Sequence, residues 1–158
     1  MKGLIMVQKK TFFMEFSMNM ESSVEEVFKK LIDFESMPDL LPRQLKNMEI
    51  ISKKLDQIVT RETLVFKTIV KNEIVQESSH EIGDNKIKTV ITSGPAKDSV
   101  INMKLEKRDS GSTIIINIDL KLSLKARILL PIIKKAYQSL LTGMLYKIDA
   151  LIMEKNRN

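Results

Sequence analysis

Few side chains in this 158-residue sequence could carry out acid–base or nucleophilic chemistry. His80 is the single histidine, and the sequence contains no cysteine. The catalytic triads and zinc sites that need two or more such residues are therefore nearly excluded. His80 lies in QESSHEIG, beside a predicted turn, and a lone histidine in that position is usually exposed to solvent. We therefore expect His80 to be solvated and to have no catalytic role.

Carboxylates and glycines give no stronger indication of an active site. Glu73, Glu77 and Glu81 recur along one predicted strand, at an even spacing that is typical of a solvated face. The stretch SGP at residues 93–95 is interpreted as a turn, because the chain contains no glycine-rich phosphate loop. The sequence accordingly predicts neither a metal site nor a bound cofactor.

The net charge of +6 is concentrated near the C-terminal end. Residues 1–120 contain 18 basic and 18 acidic side chains, whereas residues 121–158 contain eight basic and two acidic ones. Such a basic region is typical of a nucleic-acid face, of a surface that binds anionic membranes, or of a solvated helix that keeps the protein soluble. The scarcity of aromatic residues argues against binding of single-stranded nucleic acid.

The length favours one domain over residues 1–158. The lack of cysteine removes disulfides and fits a cytosolic protein. The N-terminal stretch MKGLIMVQKK has an apolar run too short for a signal peptide, and no stretch approaches the ~18 apolar residues of a membrane span. We therefore expect a cytoplasmic protein of one domain.

Alternation of apolar and polar residues predicts seven strands. In TFFMEFSMNM, for example, Phe12, Met14 and Phe16 fall on one side of the strand. The connections between most strands are short, which favours antiparallel neighbours. The predicted strands cover residues 11–20, 47–54, 56–67, 69–82, 86–93, 99–108 and 113–124.

Three segments repeat their apolar residues at helical spacing. The first covers residues 23–32, and the second is a short turn at 35–41 that Pro38 prevents from extending. The third covers residues 126–155 and has Pro131 near its start, where the helix begins or kinks. At ~1.5 Å per residue it would be about 35–45 Å long. Packing alone does not need such a length, so we expect a strongly curved sheet around it.

Two stretches of the sequence resemble the START-like (SRPBCC) superfamily: SSVEEVFKKLIDFESMPDLLP, with Asp33, Phe34, Pro38 and Pro42, and the terminal RILLPIIKKAYQSLLTGMLYKIDALIME. The helix-grip fold of that superfamily is shared with the birch-pollen allergen Bet v 1, bacterial polyketide cyclase/dehydrase proteins and the coenzyme Q-binding protein family. The resemblance extends over nearly the whole chain. It implies an α+β fold in which a curved antiparallel sheet of about seven strands surrounds a long C-terminal helix, with two short helices after the first strand.

The resemblance also implies a cavity between the sheet and the C-terminal helix, where members hold an apolar small molecule. The short helices would close its open end, with a gate formed by Phe34, Met37, Pro38 and Leu40. The ten methionines either line such a site or fill the core, and core packing is the favoured interpretation. We expect the cavity to be lined by Met14, Phe16, Leu41, Thr89, Ile91, Met103, Ile116, Ile118, Tyr137, Leu140 and Met144.

The predicted function is the binding or carriage of an apolar small molecule, such as a lipid, a quinone or a polyketide-like compound. One alternative is a polyketide cyclase/dehydrase-like enzyme that uses the same cavity, since such enzymes can act mainly through pocket shape. Another is a coenzyme Q-type lipid protein at an anionic membrane, which Arg127, Lys134 and Lys135 would face. Tyr146 and Lys147 are further polar candidates for the cavity wall, although Lys147 equally fits the edge of the helix. The sequence identifies neither the ligand nor the oligomeric state.

Overall fold

The computed structural model describes residues 11–67 and 71–158, leaving aside the side chains of residues 66, 67, 71 and 72. The stretch MKGLIMVQKK and the first two residues of the strand predicted at 69–82 lie outside the described residues. Seven strands are present: β1 Thr11–Met20, β2 Leu45–Lys53, β3 Gln57–Lys67, β4 Lys71–Ile82, β5 Lys86–Ile91, β6 Val100–Lys107 and β7 Ser112–Lys121.

The strands form one antiparallel sheet in the order β1-β7-β6-β5-β4-β3-β2. From β2 to β7, strands that follow each other in the sequence are neighbours in the sheet, because short connections allow only antiparallel pairing. β1 is the exception, since it pairs with β7 and places Met14 opposite Ile118. The predicted antiparallel sheet is confirmed, and the strand boundaries differ from the predicted ones by only a few residues.

Two short α-helices, with a 3-10 turn between them, follow β1. The helix α1 covers Val24–Leu31, and the Ser23 hydroxyl caps it by accepting a hydrogen bond from the backbone N–H of Glu26 at 3.3 Å. A 3-10 turn at Phe34–Ser36 then leads into α2, Met37–Leu40. The predicted pair of short helices is therefore present.

The helix predicted at residues 126–155 consists of two segments, α3 Leu124–Arg127 and α4 Leu130–Arg157. Pro131 lies in the first turn of α4. Proline is tolerated there because the first N–H groups of a helix have no partner within the helix, so α4 begins at this point and does not kink. No described helix combines the length and the apolar character needed to cross a bilayer.

The hydrophobic core lies between α4 and the inner face of the sheet. β7 contributes Ile114, Ile116, Ile118 and Leu120, each at most 1% exposed, because alternate residues of a strand point to the same face. The helix packs one stripe of its surface against them. Its buried residues are Ile133, Tyr137, Leu141, Met144, Leu145, Ile148 and Ile152.

A polar anchor joins α4 to the corner between β1 and α1. The Asp149 carboxylate accepts hydrogen bonds from the backbone N–H groups of Glu21 at 3.1 Å and Ser22 at 2.9 Å, and from the Ser22 hydroxyl at 2.5 Å. The Ser112 hydroxyl of β7 donates to the Ser22 carbonyl oxygen at 2.8 Å. These bonds fix the position at which the helix crosses the sheet.

The turn between β6 and β7 passes directly against the end of β1. Gly111 in this turn has a φ of +85°, a region that residues with a Cβ rarely adopt. A Cβ at this position would overlap the carbonyl oxygen of Met20 and lie 3.0 Å from the carbonyl carbon of Glu21. Both the dihedral angle and the close approach therefore require glycine here.

Candidate ligand cavity

A cavity of about 120 Å³ lies between the inner face of the sheet and α4. A dry apolar cavity of ~150 Å³ in another protein holds benzene, so this space accommodates about one ring. Fourteen lining residues are apolar and six are polar. The lining consists of Leu31, Phe34, Met37, Leu41, Leu45, Met48, Glu62, Leu64, Gln76, Ser78, His80, Ile87, Thr89, Ile91, Ile101, Met103, Tyr137, Leu140, Leu141 and Met144.

Most of the residues predicted to line or close the cavity border this space. From the predicted lining these are Leu41, Thr89, Ile91, Met103, Tyr137, Leu140 and Met144. Two residues of the predicted gate, Phe34 and Met37, also border it. Pro38 and Leu40, the other two gate residues, do not border the cavity. Pro38 is half-buried, and Leu40 is buried in the core.

Four residues predicted to line the cavity are part of the core instead. Ile116 and Ile118 on β7 are at most 1% exposed and are not among the residues that line the cavity. Met14 and Phe16 on β1 pack against the same core cluster. Strands β1 and β7 lie at one end of the strand order, whereas the cavity lies under β2 to β6. The assignment of these four side chains to the cavity wall is corrected accordingly.

Tyr146 and Lys147 do not contribute to the cavity wall either. Tyr146 is 63% exposed. Lys147 is exposed, and its ammonium group donates a hydrogen bond to the carbonyl oxygen of Leu40 at 2.5 Å. Lys147 therefore lies at the edge of α4, where it connects the helix to the end of α2.

Five polar side chains on β3, β4 and β5 form a hydrogen-bonded chain along the cavity. The Thr60 hydroxyl donates to Glu62 Oε1 at 2.7 Å, and its oxygen lies 2.8 Å from His80 Nε2. The Ser78 hydroxyl donates to Glu62 Oε2 at 3.1 Å. His80 Nδ1 lies 2.8 Å from the Thr89 hydroxyl oxygen. We call these five residues the polar chain.

The expectation that His80 is solvated was wrong, because this side chain is 5% exposed. Strand β4 continues to Ile82, so His80 lies within the strand and not in the turn. The aromatic ring of Phe34 stacks on the imidazole, with 4.2 Å between the ring centroids and 25° between the planes. A residue of the predicted gate therefore covers one face of the histidine.

The sequence carried a signal for this burial. Glu73, Glu77 and Glu81 were assigned to the solvated face of this strand, and Glu73 and Glu81 are exposed in the structure. Side chains alternate between the two faces of a strand, so the even position of His80 belongs to the buried face. Within residues 11–67 and 71–158, no group of three or more carboxylate or histidine side chains is placed to hold a metal ion.

The helix α4 contributes one polar group opposite these strands. The Tyr137 hydroxyl donates a long hydrogen bond to Gln76 Oε1, at 3.5 Å. Burial raises the pKa of Tyr137 well above its usual range, the charge of Glu62 raises it further, and the bond to Gln76 opposes both effects. Tyr137 thus keeps its proton and can act in the cavity as a hydrogen-bond donor.

The three basic residues predicted to face a membrane differ in exposure. Lys135 is exposed. Lys134 is half-buried, and its ammonium group lies 5.5 Å from the centroid of the Phe12 ring, within the range of a cation–π interaction. Arg127 is also half-buried. Of these three, Lys135 alone presents an exposed side chain.

An exposed aliphatic patch lies on the same part of the chain. Leu124, Ile128, Leu129 and Ile132 are 58%, 84%, 42% and 43% exposed, and we call these four residues the aliphatic patch. Ile128 and Leu129 lie between α3 and α4, and Ile132 lies in the first turn of α4 outside the buried stripe that begins at Ile133.

A surface groove of about 460 Å³ lies between the aliphatic patch and the cavity. Ile132 of the patch and the exposed Lys135 line it on one side, and Arg43 and Gln44 line it on the other. Leu140 borders both the groove and the cavity. The side chain of this leucine therefore forms part of the partition between the outer surface and the interior.

Several solved structures have the same architecture, and their similarity covers nearly the whole chain. A START superfamily protein from Mycobacterium smegmatis is 13% identical to this chain. The structural match covers 90% of this chain and 99% of that protein, with a TM-score of 0.74. An aromatase/cyclase from Streptomyces sp. R1128 is 11% identical, with coverages of 90% and 96% and a TM-score of 0.76. Norcoclaurine synthase from Thalictrum flavum, solved with dopamine and hydroxybenzaldehyde, is 18% identical, with coverages of 97% and 93% and a TM-score of 0.73.

These similarities show the fold. The chain has the helix-grip architecture of START-like and Bet v 1-like proteins, as the sequence resemblance implied. No protein-family profile matches the chain. No curated protein sequence matches it either.

Proposed function

We propose that this protein binds an apolar small molecule in the cavity between the sheet and α4, and that it carries this molecule. The observation that supports this most directly is the cavity itself, about 120 Å³ of space with a mostly apolar wall inside a packed core. Atoms that line an empty space lose dispersion contacts, and a guest restores them. The ligands bound to norcoclaurine synthase support the use of this fold as a container.

Flexible side chains allow the cavity to adapt to larger guests. Met37, Met48, Met103 and Met144 all line it. Methionine has an unbranched side chain and a polarizable sulfur, so it repacks around guests of different shape. A one-ring compound fits the present volume, and a lipid, a quinone or a polyketide-like molecule requires these methionines to move.

Toluene, as an apolar probe of one ring, is expected to bind saturably in this cavity. When the methionine methyl groups carry an isotope label, NMR titration should shift the signals of the four lining methionines and leave Met14, which is outside the cavity, unchanged. Leu140→Trp should weaken toluene binding about tenfold or more, since the larger ring occupies the space, and tenfold corresponds to ~1.4 kcal/mol.

Leu151→Trp is the matched control, because Leu151 is exposed on the same helix and does not line the cavity. Equal toluene affinity in the two tryptophan variants, or shifts at Met14 as large as those in the cavity, would contradict a binding site there. Native mass spectrometry of the purified protein would then identify the molecule that it carries.

The gate assignment remains a proposal. We propose that the segment around α2 opens the cavity, because Phe34 and Met37 border it and Leu40 is attached to α4 through its carbonyl bond to Lys147. Such an opening segment should be less protected than the sheet. Toluene should therefore slow amide exchange at Met37 and Leu41 more than within β7, and equal slowing would count against a gate.

A second candidate function is exchange of the ligand at an anionic membrane. The aliphatic patch supports it, because it exposes Ile128 at 84% next to the basic residues Lys125 and Lys135. The groove that contains Lys135 adjoins the cavity at Leu140. Aliphatic side chains can insert among lipids while the lysines bind acidic headgroups, each contributing ~1 kcal/mol.

Leu124→Ser combined with Ile128→Ser is expected to weaken binding to vesicles that contain anionic lipid by about tenfold or more, since each insertion contributes roughly 1.5 kcal/mol or more. Lys125→Glu with Lys135→Glu should have a similar effect that disappears in high salt. Leu55→Ser is the control, because Leu55 is fully exposed outside the patch. Cosedimentation measures the binding, and no binding at low salt would reject the membrane role.

A further inference from the structure

The polar chain is costly to bury, and stability does not explain it. Glu62 is 4% exposed, and Thr60 and Ser78 are at most 1% exposed. Replacing buried ionic groups with apolar residues of similar volume is often neutral or stabilising, and the inward positions from Ile114 to Leu120 on β7 are all aliphatic. A carboxylate and an imidazole beside open space therefore indicate a role toward a guest in the cavity.

The hydrogen bonds of the polar chain have only one consistent direction when Glu62 is ionised and His80 is neutral. A carboxylate can only accept, so the single Thr60 hydroxyl proton goes to Glu62 Oε1. The contact between Thr60 and His80 Nε2 then requires the proton to be on Nε2. A neutral imidazole carries one proton, so Nδ1 accepts from the Thr89 hydroxyl.

Thr89 is the end of the polar chain that a guest can reach. Its side chain lines the cavity and is half-buried, whereas Glu62, Ser78 and His80, which also line the cavity, are at most 5% exposed, and Thr60 does not line it. Since the Thr89 proton is donated to His80, the lone pairs of its oxygen remain to accept a hydrogen bond. The cavity therefore presents an acceptor at Thr89, backed by an imidazole with a basic nitrogen.

We propose that the polar chain is a proton-accepting site, and that the ligand joins a weakly acidic hydroxyl to an apolar body. This proposal rests on the proposed binding function and specifies the chemistry of the guest. The hydroxyl donates its hydrogen bond to Thr89 Oγ1, and the ring or chain behind it occupies the apolar part of the cavity.

Proton transfer through the polar chain requires no other reactant. The O–H bond of the ligand breaks and its proton moves to Thr89 Oγ1, while the proton of Thr89 moves to His80 Nδ1. The ligand becomes an oxyanion that accepts a hydrogen bond from Thr89, and His80 becomes an imidazolium. The charge of the imidazolium is balanced by Glu62, whose Oε1 lies 3.7 Å from His80 Nε2.

The acidity of the hydroxyl decides whether the proton moves. A phenol or an enol approaches the acidity that an imidazole can match, whereas an aliphatic alcohol keeps its proton and only donates a hydrogen bond. Glu62 Oε1 lies beside the imidazole, and the Phe34 ring stacks on its face. Tyr137 on α4, which keeps its own proton, contributes no competing charge.

The test compares p-nitrophenol with nitrobenzene, which share one body and differ by the hydroxyl. At a near-neutral pH, where free p-nitrophenol is only partly ionised, the bound compound is expected to show yellow phenolate absorption in excess of that of the free compound. Thr89→Val keeps the shape and removes the acceptor. It should abolish that excess absorption and weaken p-nitrophenol binding roughly tenfold, with nitrobenzene affinity unchanged. Glu62→Gln should also reduce the absorption, because the charge that balances the imidazolium is lost.

Thr63→Val is the matched control, since Thr63 lies on the outer face of β3 and not at the cavity, and it should leave both compounds unaffected. Nitrobenzene binding with p-nitrophenol bound as the neutral phenol, or excess phenolate absorption that survives in Thr89→Val, would overturn the proton-accepting site and leave the carrier function standing. Failure of both compounds to bind would reject both proposals.

Discussion

Gly111→Ala is expected to lower the free energy of unfolding by about 3 kcal/mol or more. The alanine must adopt a φ of +85°, and a left-handed conformation costs residues with a Cβ roughly 1–2 kcal/mol. Its Cβ also overlaps the Met20 carbonyl oxygen, which belongs to the backbone and cannot rotate away. Displacing the end of β1 adds about 1–3 kcal/mol, the usual cost of overpacking.

Gly143→Ala is the control for this prediction and should have the opposite sign. Gly143 lies within α4, and a Cβ there meets no atom within 4 Å. Alanine in a helix interior is more stable than glycine by roughly 0.5–1 kcal/mol. Denaturant unfolding of both variants measures the difference, and a Gly111→Ala protein within 1 kcal/mol of the parent would contradict the close approach of the turn to β1.

Asp149→Ala is expected to destabilise the protein by about 2–3 kcal/mol. The substitution removes one acceptor that serves the N–H groups of Glu21 and Ser22 and the Ser22 hydroxyl. Hydrogen bonds to a charged group contribute about 1.5–3 kcal/mol in buried sites, and the partial exposure of these bonds reduces their sum. Because Asp149 holds α4 against the start of α1, toluene binding should weaken as well.

Two variants separate the anchor from a general effect of charge. Asp149→Asn should be intermediate, since one amide oxygen can still accept from Ser22 while its NH2 group faces the Glu21 N–H. Glu154→Ala removes an exposed carboxylate from the same helix and should change stability by less than about 0.5 kcal/mol. If thermal and denaturant unfolding give Asp149→Ala and Glu154→Ala the same stability, the anchor does not stabilise the fold.

The fold could be predicted because it depends on periodicity, which is local in the sequence. The inward row from Ile114 to Leu120 on β7 is fully apolar and fully buried. A proline soon after a helix end predicted one short turn at residues 35–41, and the structure has a 3-10 turn at Phe34–Ser36 that leads into α2 there. The spacing of apolar residues and the turn residues are local in the sequence. These features can therefore be predicted without knowing which distant residues come into contact.

The cavity wall could be predicted only in part, because packing decides which inward residues adjoin open space. Phe16 and Met103 both pack toward the core from their strands, yet of these two only Met103 lines the cavity. The path of α4 over the sheet makes this difference. That path depends on contacts such as that of Asp149 with Ser22, which no local pattern reveals.

The polar chain was missed for a different reason. His80 was judged by its residue type and its nearness to a predicted turn, and Glu62 was not considered, whereas the alternation of side chains along each strand assigns both residues to the inner face. Polar residues at inward positions contradict the hydrophobic pattern, and such conflicts are expected at functional sites. His80 has an even number and Glu77 and Glu81 have odd numbers on the same strand. The alternation of side chains would therefore have placed His80 on the face opposite to the two glutamates.

The first described strand, β1, pairs with β7, the last strand to be synthesised, and Thr11 lies opposite Lys121. A ribosome that adds roughly 5–20 residues per second needs on the order of 5–20 seconds to make the intervening chain. During this time the apolar face of β1 has no partner, and α4 is not yet available to cover the inner face. The nascent chain is therefore expected to be a substrate for chaperones and to resist proteases only after β7 and α4 have emerged, which protease digestion of stalled ribosome complexes would measure.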